Sequence, residues 1–274
     1  MNPGELSGIH SMDFELYRLA AGVSKSMLDK LAHPYTPAHL RAYLDEPQPE
    51  PTEAQRFGTI LHRALLEPDT MKDAFAVRPD GMDLRTKTGK DWKAEQGDRP
   101  ILSSDQSKAI ERSVASVWKH PKAKQLLKGA QFERCLFAKD SHGTLRKGRL
   151  DVVPSGGNVL PDVKTCASAA PEDFEKSISE YRYFVQAAFY IDLCKLLGME
   201  LERFVFICVE KAAPFCVALH SLDPQVIDIG RKLYQRDLTV YRRCVETGEW
   251  PGYPEDIGQV SLPTWAMKQL ENIV

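Results

Sequence analysis

A polar turn between two strand patterns constrains the fold of this chain more than any other feature. Residues 154–158 read Pro-Ser-Gly-Gly-Asn, a composition typical of a tight turn. The segments on either side, 145–153 and 159–165, carry the apolar and β-branched residues expected of strands. This combination predicts a β-hairpin, so a sheet is expected at the centre of the second half of the chain.

Helical patterns surround the predicted hairpin. Apolar residues at spacings of three and four predict a helix over 53–66, which Pro68 ends. Ser24 is a suitable N-cap for a short helix ending at Leu31. The other expected elements are helices over 37–44, 104–119, 171–197 and 224–246, and strands over 131–138, 203–209 and 215–219.

Four segments lack a clear periodicity. Residues 1–22 are expected to form an irregular arm, and the Pro-rich residues 46–52 a polar connection. Residues 78–100 are polar and charged, which predicts a long loop of the kind that is usually functional or mobile. The tail beyond residue 246 is also expected to be irregular.

The order of these elements predicts an α/β fold. Helices come first, and three strands, a helix, two strands and a helix follow, as expected for a mixed central sheet flanked by helices. The chain has no internal repeat. We therefore expect one domain over residues 1–274, with a mainly helical N-terminal elaboration over 1–125 and the α/β core over 126–250.

Composition limits the classes of protein to which this chain can belong. The net charge is −2, so the average surface lacks a basic footprint for nucleic acid, although a local groove can still be basic. No run approaches about 18 apolar residues and no signal peptide is evident, so a cytoplasmic protein without membrane contact is expected. The six cysteines form no Cys-x-x-Cys pair, which argues against a zinc or iron–sulfur site with closely spaced ligands.

The predicted hairpin carries charged residues suited to phosphodiester chemistry. Asp162 and Lys164 are two apart on a strand, so they share one face of the sheet, and Asp151 lies on the preceding strand. The two carboxylates, with the Val163 carbonyl as a further ligand, suit Mg²⁺, which prefers oxygen ligands. The lysine would orient or deprotonate an attacking water, or neutralise charge in the transition state.

The acidic-x-Lys pattern is weak when it is taken alone. Residues 91–93 (Asp-Trp-Lys) are a second copy in a segment without strand character. A surface hairpin with solvated charges is the alternative for Asp151, Asp162 and Lys164, since Asp and Lys are usually exposed. The turn, the strands and the upstream aspartate together favour a functional site.

Residues outside the hairpin add further candidates. His62 follows a glycine in a predicted helix, where a metal ligand or phosphate contact competes with a histidine satisfied within the fold. Gln186 and Tyr190 are four apart and share a helix face, and Gln186 needs a polar partner in its apolar surroundings. Arg149 adjoins the site and suits a phosphate contact as well as a surface position.

The segment 78–99 carries basic residues that have two interpretations. They are Arg85, Lys87, Lys90 and Lys93. Such a run is typical of a solvated loop, and it would also suit a clamp on DNA phosphates with steep salt dependence. Trp92 in the same segment suits stacking on a base at a frayed end and equally suits a buried anchor.

Four short motifs in a fixed order resemble the RecB-like branch of the PD-(D/E)xK nucleases. They are Gly58-x-x-x-His62, Gly148-Arg149-Leu150-Asp151, Asp162-Val163-Lys164-Thr165 and Gln186-x-x-x-Tyr190. Within that branch the chain is most similar to the nuclease domain of the exodeoxyribonuclease VIII (RecE) family, to which residues 8–12 and 22–26 are also similar. The resemblance covers nearly the whole chain, and the motifs are specific as an ordered set.

The resemblance implies a restriction-endonuclease-like core and an activity. The activity is a Mg²⁺-dependent exodeoxyribonuclease, with Mn²⁺ as a substitute, that degrades linear double-stranded DNA from 5′ to 3′. The 3′ single-stranded tails would serve recombination by a phage-type annealing protein. By position, Asp151 and Asp162 would bind the metal, Lys164 would be the catalytic lysine, His62 would lie at the metal, and Gln186 and Tyr190 near the DNA. Besides the Val163 carbonyl, Glu133 on the strand before the predicted hairpin is a candidate for an additional carboxylate.

The resemblance also implies a ring-shaped homo-oligomer, encoded by a phage or prophage in a bacterial host cell. Two alternatives stay open from the residues alone. The first is an endonuclease or single-strand nuclease of the same fold. The second is a DNA-binding subunit without catalysis, because one fold can serve several functions.

Overall fold

The computed structural model of the chain describes residues 6–46 and 50–271. The first five residues of the expected arm, residues 47–49 of the expected connection and the last three residues lie outside the described residues. Within the described part, helices pack on both sides of β-sheets, which confirms the predicted α/β class. None of the helices in this part is long and apolar enough to span a bilayer.

Helices dominate the first half of the chain and recur between and after the later strands. In chain order they are α1 Phe14–Leu19, α2 Lys25–Leu28, α3 Pro37–Asp45, α4 Glu53–Leu66, α5 Lys87–Glu95, α6 Ser104–Lys119, α7 Pro121–Leu127, α8 Pro171–Glu180, α9 Tyr183–Leu196, α10 Pro224–Thr247 and α11 Thr264–Glu271. Two 3₁₀ turns, Asp29–Leu31 and Pro68–Asp73, follow α2 and α4. The bounds of α4 and α6 agree with the prediction because each helix begins at a capping box, whose side chains bond the free backbone amides of the first turn.

The strands form two three-stranded sheets and one small parallel pair. They are β1 Gly8–Ser11, β2 Ala76–Val77, β3 Ile101–Leu102, β4 Gln131–Lys139, β5 Leu145–Val153, β6 Val159–Cys166, β7 Arg203–Glu210 and β8 Val217–Ser221. The first sheet has the order β1-β4-β5 and is antiparallel. The second has the order β6-β7-β8, with β6 parallel and β8 antiparallel to β7, so it is mixed, as predicted.

The predicted hairpin needs a correction. The strands β5 and β6 have the expected positions, but they belong to different sheets and form no ladder with each other among the described residues. Instead, the Asp151 carboxylate accepts a hydrogen bond of 3.0 Å from the Val163 backbone amide. A side chain therefore takes the place of a backbone ladder partner at this point.

Alternating strand residues divide the core into two layers. On β5, Val153 packs with α9 and α10, whereas Val152 packs with α4 and α6. On β7, Phe206 and Ile207 divide in the same way. Because successive strand side chains point to opposite faces, this alternation produces a layer of helices on each side of the sheets.

The N-terminal arm is more regular than predicted. Residues 8–11 pair with the edge of β4, and α1 follows directly after them. Lys147 on β5 fixes α1, because its ammonium donates hydrogen bonds to the carbonyls of Tyr17 and Arg18, both at 3.1 Å, near the C-terminus of that helix. The described part of the arm therefore packs as an ordered layer on the first sheet.

Two further segments expected to be irregular contain helices. The expected loop over 78–100 includes α5, whose first turn is capped by the Thr86 hydroxyl. The helix carries polar residues on every side, so it shows no apolar periodicity. The tail contains α11, which begins shortly after Pro263.

The predicted helix over 171–197 is in fact two helices. Arg182 adopts a left-handed conformation, with φ of 51°, between α8 and α9. Its guanidinium forms ion pairs with Asp29 at 2.8 Å and with the buried Asp237 at 3.1 Å, which offset the cost of this conformation. The break sets the direction of α9 and therefore the position of its polar side chains.

Candidate metal centre

Three predicted site residues from three elements meet at one point. His62 on α4, Glu133 on β4 and Asp151 on β5 place one potential ligand atom each within 4.8 Å of the others. His62 Nδ1 lies 3.5 Å from Asp151 Oδ2. An imidazole nitrogen beside two carboxylates is a donor set that binds divalent cations.

A strained residue shapes this cluster. Glu133 has φ of 52°, a region that residues with a side chain rarely adopt. The β4–β5 ladder pairs Phe132 with Val152 and Arg134 with Leu150, but the intervening pair of Glu133 and Asp151 is missing. This conformation costs about 1–3 kcal/mol. It coincides with the interruption of the ladder at Glu133 and Asp151, the two carboxylates of the cluster.

A second group of charged residues lies on β6. Lys164 Nζ is 2.7 Å from Asp162 Oδ2, and the same ammonium lies 4.6 Å from the centre of the Tyr183 ring. Gln186 Nε2 donates a hydrogen bond of 2.8 Å to Asp162 Oδ1. The polar partner that Gln186 required in its apolar helix is therefore the catalytic candidate Asp162.

Burial and mutual repulsion shift the acid–base properties of the carboxylates. Burial raises the pKa of Asp162 to about 6, against the opposing effect of Lys164. Burial, with the charge of Asp151, raises the pKa of Glu133 to about 7. Burial alone would raise the pKa of Asp151 as well, but His62 and Lys164 lower it below its usual value. A cation between these groups would relieve their repulsion.

The neighbouring carboxylates raise the pKa values of the two basic partners, Lys164 and His62. Burial would lower the pKa of Lys164, but Asp162 and Asp151 raise it above its usual value. Burial likewise opposes the charged form of His62, yet the neighbouring Asp151 carboxylate raises the pKa of the imidazole. The two bases and the carboxylates therefore form one coupled electrostatic unit.

The side chain of Asp162 also fits a role beside a cation. Apart from the ion pair with Lys164, its buried Oδ2 has no aligned hydrogen-bond donor among the described residues. The structure nevertheless groups Glu133, and not Asp162, with His62 and Asp151. Direct ligation by Asp162 and by the Val163 carbonyl stays a prediction, and Glu133 takes a more central position than the sequence indicated.

Two motif glycines allow helices to approach the site strands. A Cβ atom on Gly58 would lie 3.3 Å from Thr165 Oγ1, so α4 can pack closely on β6. A Cβ atom on Gly148 would lie 2.9 Å from Leu193 and 3.1 Å from the Tyr190 ring. Tyr190 therefore packs against β5, and a role for it in DNA contact stays a prediction.

Arg149 lies against the cluster, as its position in the sequence indicated. Its Nε donates a hydrogen bond of 2.8 Å to Glu133 Oε2, and the guanidinium lies 5.4 Å from the centre of the Phe14 ring. Its Nη1 is buried and has no hydrogen-bond partner within the described part of the chain. The arm residue Phe14 escaped sequence analysis because an exposed aromatic in an expected irregular arm gives no periodic signal.

The structure shows where the basic residues of the 78–99 segment lie and which of them is paired with an acidic residue. Arg85 forms an ion pair with Asp83 at 2.8 Å, and Lys87, Lys90 and Lys93 lie on α5. The second acidic-x-Lys copy at 91–93 also lies on this helix, so it lacks the strand geometry of the first. A DNA clamp in this segment stays a prediction.

A solved structure shares the fold of this chain. A candidate exonuclease from Eubacterium rectale, solved by crystallography, is similar in fold, with a TM-score of 0.66, 12% sequence identity, and coverage of 94% of this chain and 98% of that chain. A phage-related exonuclease from Haemophilus somnus 129PT matches with a TM-score of 0.34 and 11% identity, over 85% of this chain and 100% of that chain. No curated protein matches the chain by sequence.

A family model gives the assignment. The model described as a PDDEXK-like domain of unknown function (DUF3799) matches residues 24–262, which include all four of the ordered motifs. The match confirms the resemblance to the PD-(D/E)xK superfamily that the ordered motifs predicted. The chain therefore belongs to the PDDEXK-like domain family DUF3799.

Proposed function

We propose that this chain is a Mg²⁺-dependent exodeoxyribonuclease that hydrolyses linear double-stranded DNA. The observation that carries the proposal is the Lys164–Asp162 ion pair beside the cluster of His62, Glu133 and Asp151. The shared fold with the candidate exonuclease from Eubacterium rectale supports it. The 5′-to-3′ polarity, the annealing-protein partner and the ring-shaped oligomer are parts of the proposal that rest on the resemblance to the exodeoxyribonuclease VIII family.

The residues of this chain would perform distinct tasks in the reaction. His62, Glu133 and Asp151 would hold the metal ion, which lowers the pKa of a bound water and polarises a phosphoryl oxygen. The ion pair with Asp162 keeps Lys164 in its ammonium form, so Lys164 would donate to the attacking water or to a phosphate oxygen rather than accept a proton. Gln186 would hold the Asp162 carboxylate in place.

A digestion assay tests the proposed function. Linear duplex DNA, single-stranded DNA and covalently closed circular duplex would be incubated with Mg²⁺, with Mn²⁺ and with EDTA, using 5′ and 3′ end labels to read polarity. We expect metal-dependent release of nucleotides from the linear duplex and an intact closed circle. Cleavage of the circle would identify an endonuclease instead. A folded protein that binds DNA without degrading any substrate would identify a binding subunit.

The Gln186→Leu variant tests how Asp162 is positioned. Loss of the Gln186 donor frees Asp162 Oδ1, and such supporting contacts typically contribute about 10–100-fold to activity. We expect kcat to fall by that factor while KM for DNA changes little, because the Gln186 amide bonds the Asp162 carboxylate. The matched control is Gln259→Leu at an exposed position. A change in KM with unchanged kcat would contradict the positioning role.

A further inference from the structure

A cavity of about 760 Å³ lies away from the candidate metal centre. It is lined by the start of β5, the C-terminal half of α9 and the middle of α10, and it shares no lining residue with the metal centre. Its volume falls within the range of about 300–1,000 Å³ for small-molecule sites. Its charged lining consists of the cations Arg146, Lys195, Arg231 and Arg242 and the carboxylates Asp140 and Asp192.

Two of these cations are neutralised locally and two are not. Arg231 binds Asp192 at 2.8 Å, and Arg242 forms an ion pair with Asp140. Neither Arg146 nor Lys195 has a carboxylate partner within 4.0 Å among the described residues. The cavity therefore has unbalanced positive charge, although the whole chain has a net charge of −2. Such local excess charge is typical of a site for an anion.

Arg146 is the unusual member of this group because it is only 4% exposed. Its guanidinium carbon lies 4.5 Å from the centre of the Phe189 ring and 4.9 Å from that of Tyr234. Nη2 donates to the Phe189 carbonyl at 3.2 Å, whereas the buried Nε has no partner in the described part of the chain. Burying a charge without a counter-ion is costly, and a guanidinium fork matches the oxygens of a phosphate group.

We propose that this cavity binds the phosphate group of a nucleotide, held by Arg146 and Lys195. The two unbalanced cations indicate that the ligand carries a phosphate group. That this phosphate belongs to a nucleotide rests on the proposed nuclease function, because a nuclease encounters DNA termini and releases nucleotides. The ligand is either a free deoxynucleoside monophosphate or the terminal phosphate of a DNA strand. The residues that line the cavity include none of His62, Glu133 and Asp151, so the site is separate from the metal centre.

Binding calorimetry on metal-free protein tests the proposal, because removal of metal excludes binding through the metal centre. The titrants are inorganic phosphate, deoxyadenosine monophosphate and a short single strand with a 5′ phosphate. We expect saturable binding of phosphate, weakened tenfold or more by Lys195→Glu and by Arg146→Gln. Lys232→Glu is the matched control, since Lys232 is exposed on α10 but does not line the cavity.

The outcomes separate the two sources and the two proposals. Tighter binding of the monophosphate identifies a free nucleotide, and tighter binding of the phosphorylated strand identifies a DNA terminus. Absence of phosphate binding to the folded wild-type protein overturns the site, as does unchanged affinity in the folded Lys195→Glu variant. Because Lys195 is exposed, this variant keeps the test valid even if Arg146→Gln does not fold. Phosphate binding without nuclease activity overturns only the proposed function, and nuclease activity without phosphate binding overturns only this site.

Discussion

The Lys164→Met variant is expected to hydrolyse linear duplex DNA about 10²–10³-fold more slowly than the wild type, the loss typical of removing one donor to transition-state charge. Methionine fills a similar volume, so the change removes the ammonium that lies 2.7 Å from Asp162 Oδ2 and leaves most of the packing intact. The loss should appear in kcat, because the lysine acts on the reacting groups. Single-turnover digestion of end-labelled DNA measures it directly.

A surface pair of the same chemistry provides the control for this variant. Lys176 pairs with Asp173 at 3.0 Å on the exposed side of α8, so Lys176→Met removes an ion pair of no catalytic consequence. Thermal unfolding checks that the Lys164→Met protein is folded, since the change also leaves the buried Asp162 without its cation. Full activity in the folded Lys164→Met variant would disprove the assignment of Lys164.

The Gly230→Ala variant is expected to lower the free energy of unfolding by about 3 kcal/mol, the upper part of the range for overpacked cores. A Cβ atom at Gly230 would lie only 2.3 Å from the Phe184 carbonyl oxygen and 2.7 Å from its carbon. These are backbone atoms of α9, so the clash cannot be relieved by a rotamer change. The helices α9 and α10 would have to separate.

Separation of α9 from α10 should also displace the side chains that contact the catalytic candidates. The first turns of α9 carry Tyr183 and Gln186, which contact Lys164 and Asp162. Activity should therefore fall along with stability. Denaturant unfolding measures the stability change, and Gly156→Ala is the control because nothing lies within 4 Å of its Cβ position. An unchanged unfolding midpoint for Gly230→Ala would show that α9 and α10 are not held as described.

The elements with explicit end signals could be predicted from the sequence. The helix α4 has a capping box at Thr52 and a proline directly after its C-cap, and its predicted and observed bounds agree. The strand β5 was equally predictable because a polar turn follows it. The helix α5 was not, since a helix with polar residues on every side lacks the apolar period on which the prediction depends.

The site was predictable in its residue types but not in its arrangement. The need of Gln186 for a polar partner pointed correctly to a contact, which proved to be Asp162. Glu133 adopts a left-handed conformation and bonds Arg149 from a neighbouring strand, and no local sequence pattern reveals either feature. The separation of β5 from β6 into two sheets was missed as well, because the bond between Asp151 and the Val163 amide at this point is a contact that no local pattern indicates.

The N-terminal layer formed by β1 and α1 limits where this chain can be truncated without loss of stability. The family match begins at residue 24, yet β1 and α1 lie before that residue and cover the edge of β4. A fragment that starts at the family boundary would present β4 as an open edge, which invites pairing between molecules and aggregation. It would also leave the Lys147 ammonium without its carbonyl acceptors. The homologous region and the smallest stable folding unit of this chain are therefore expected to differ.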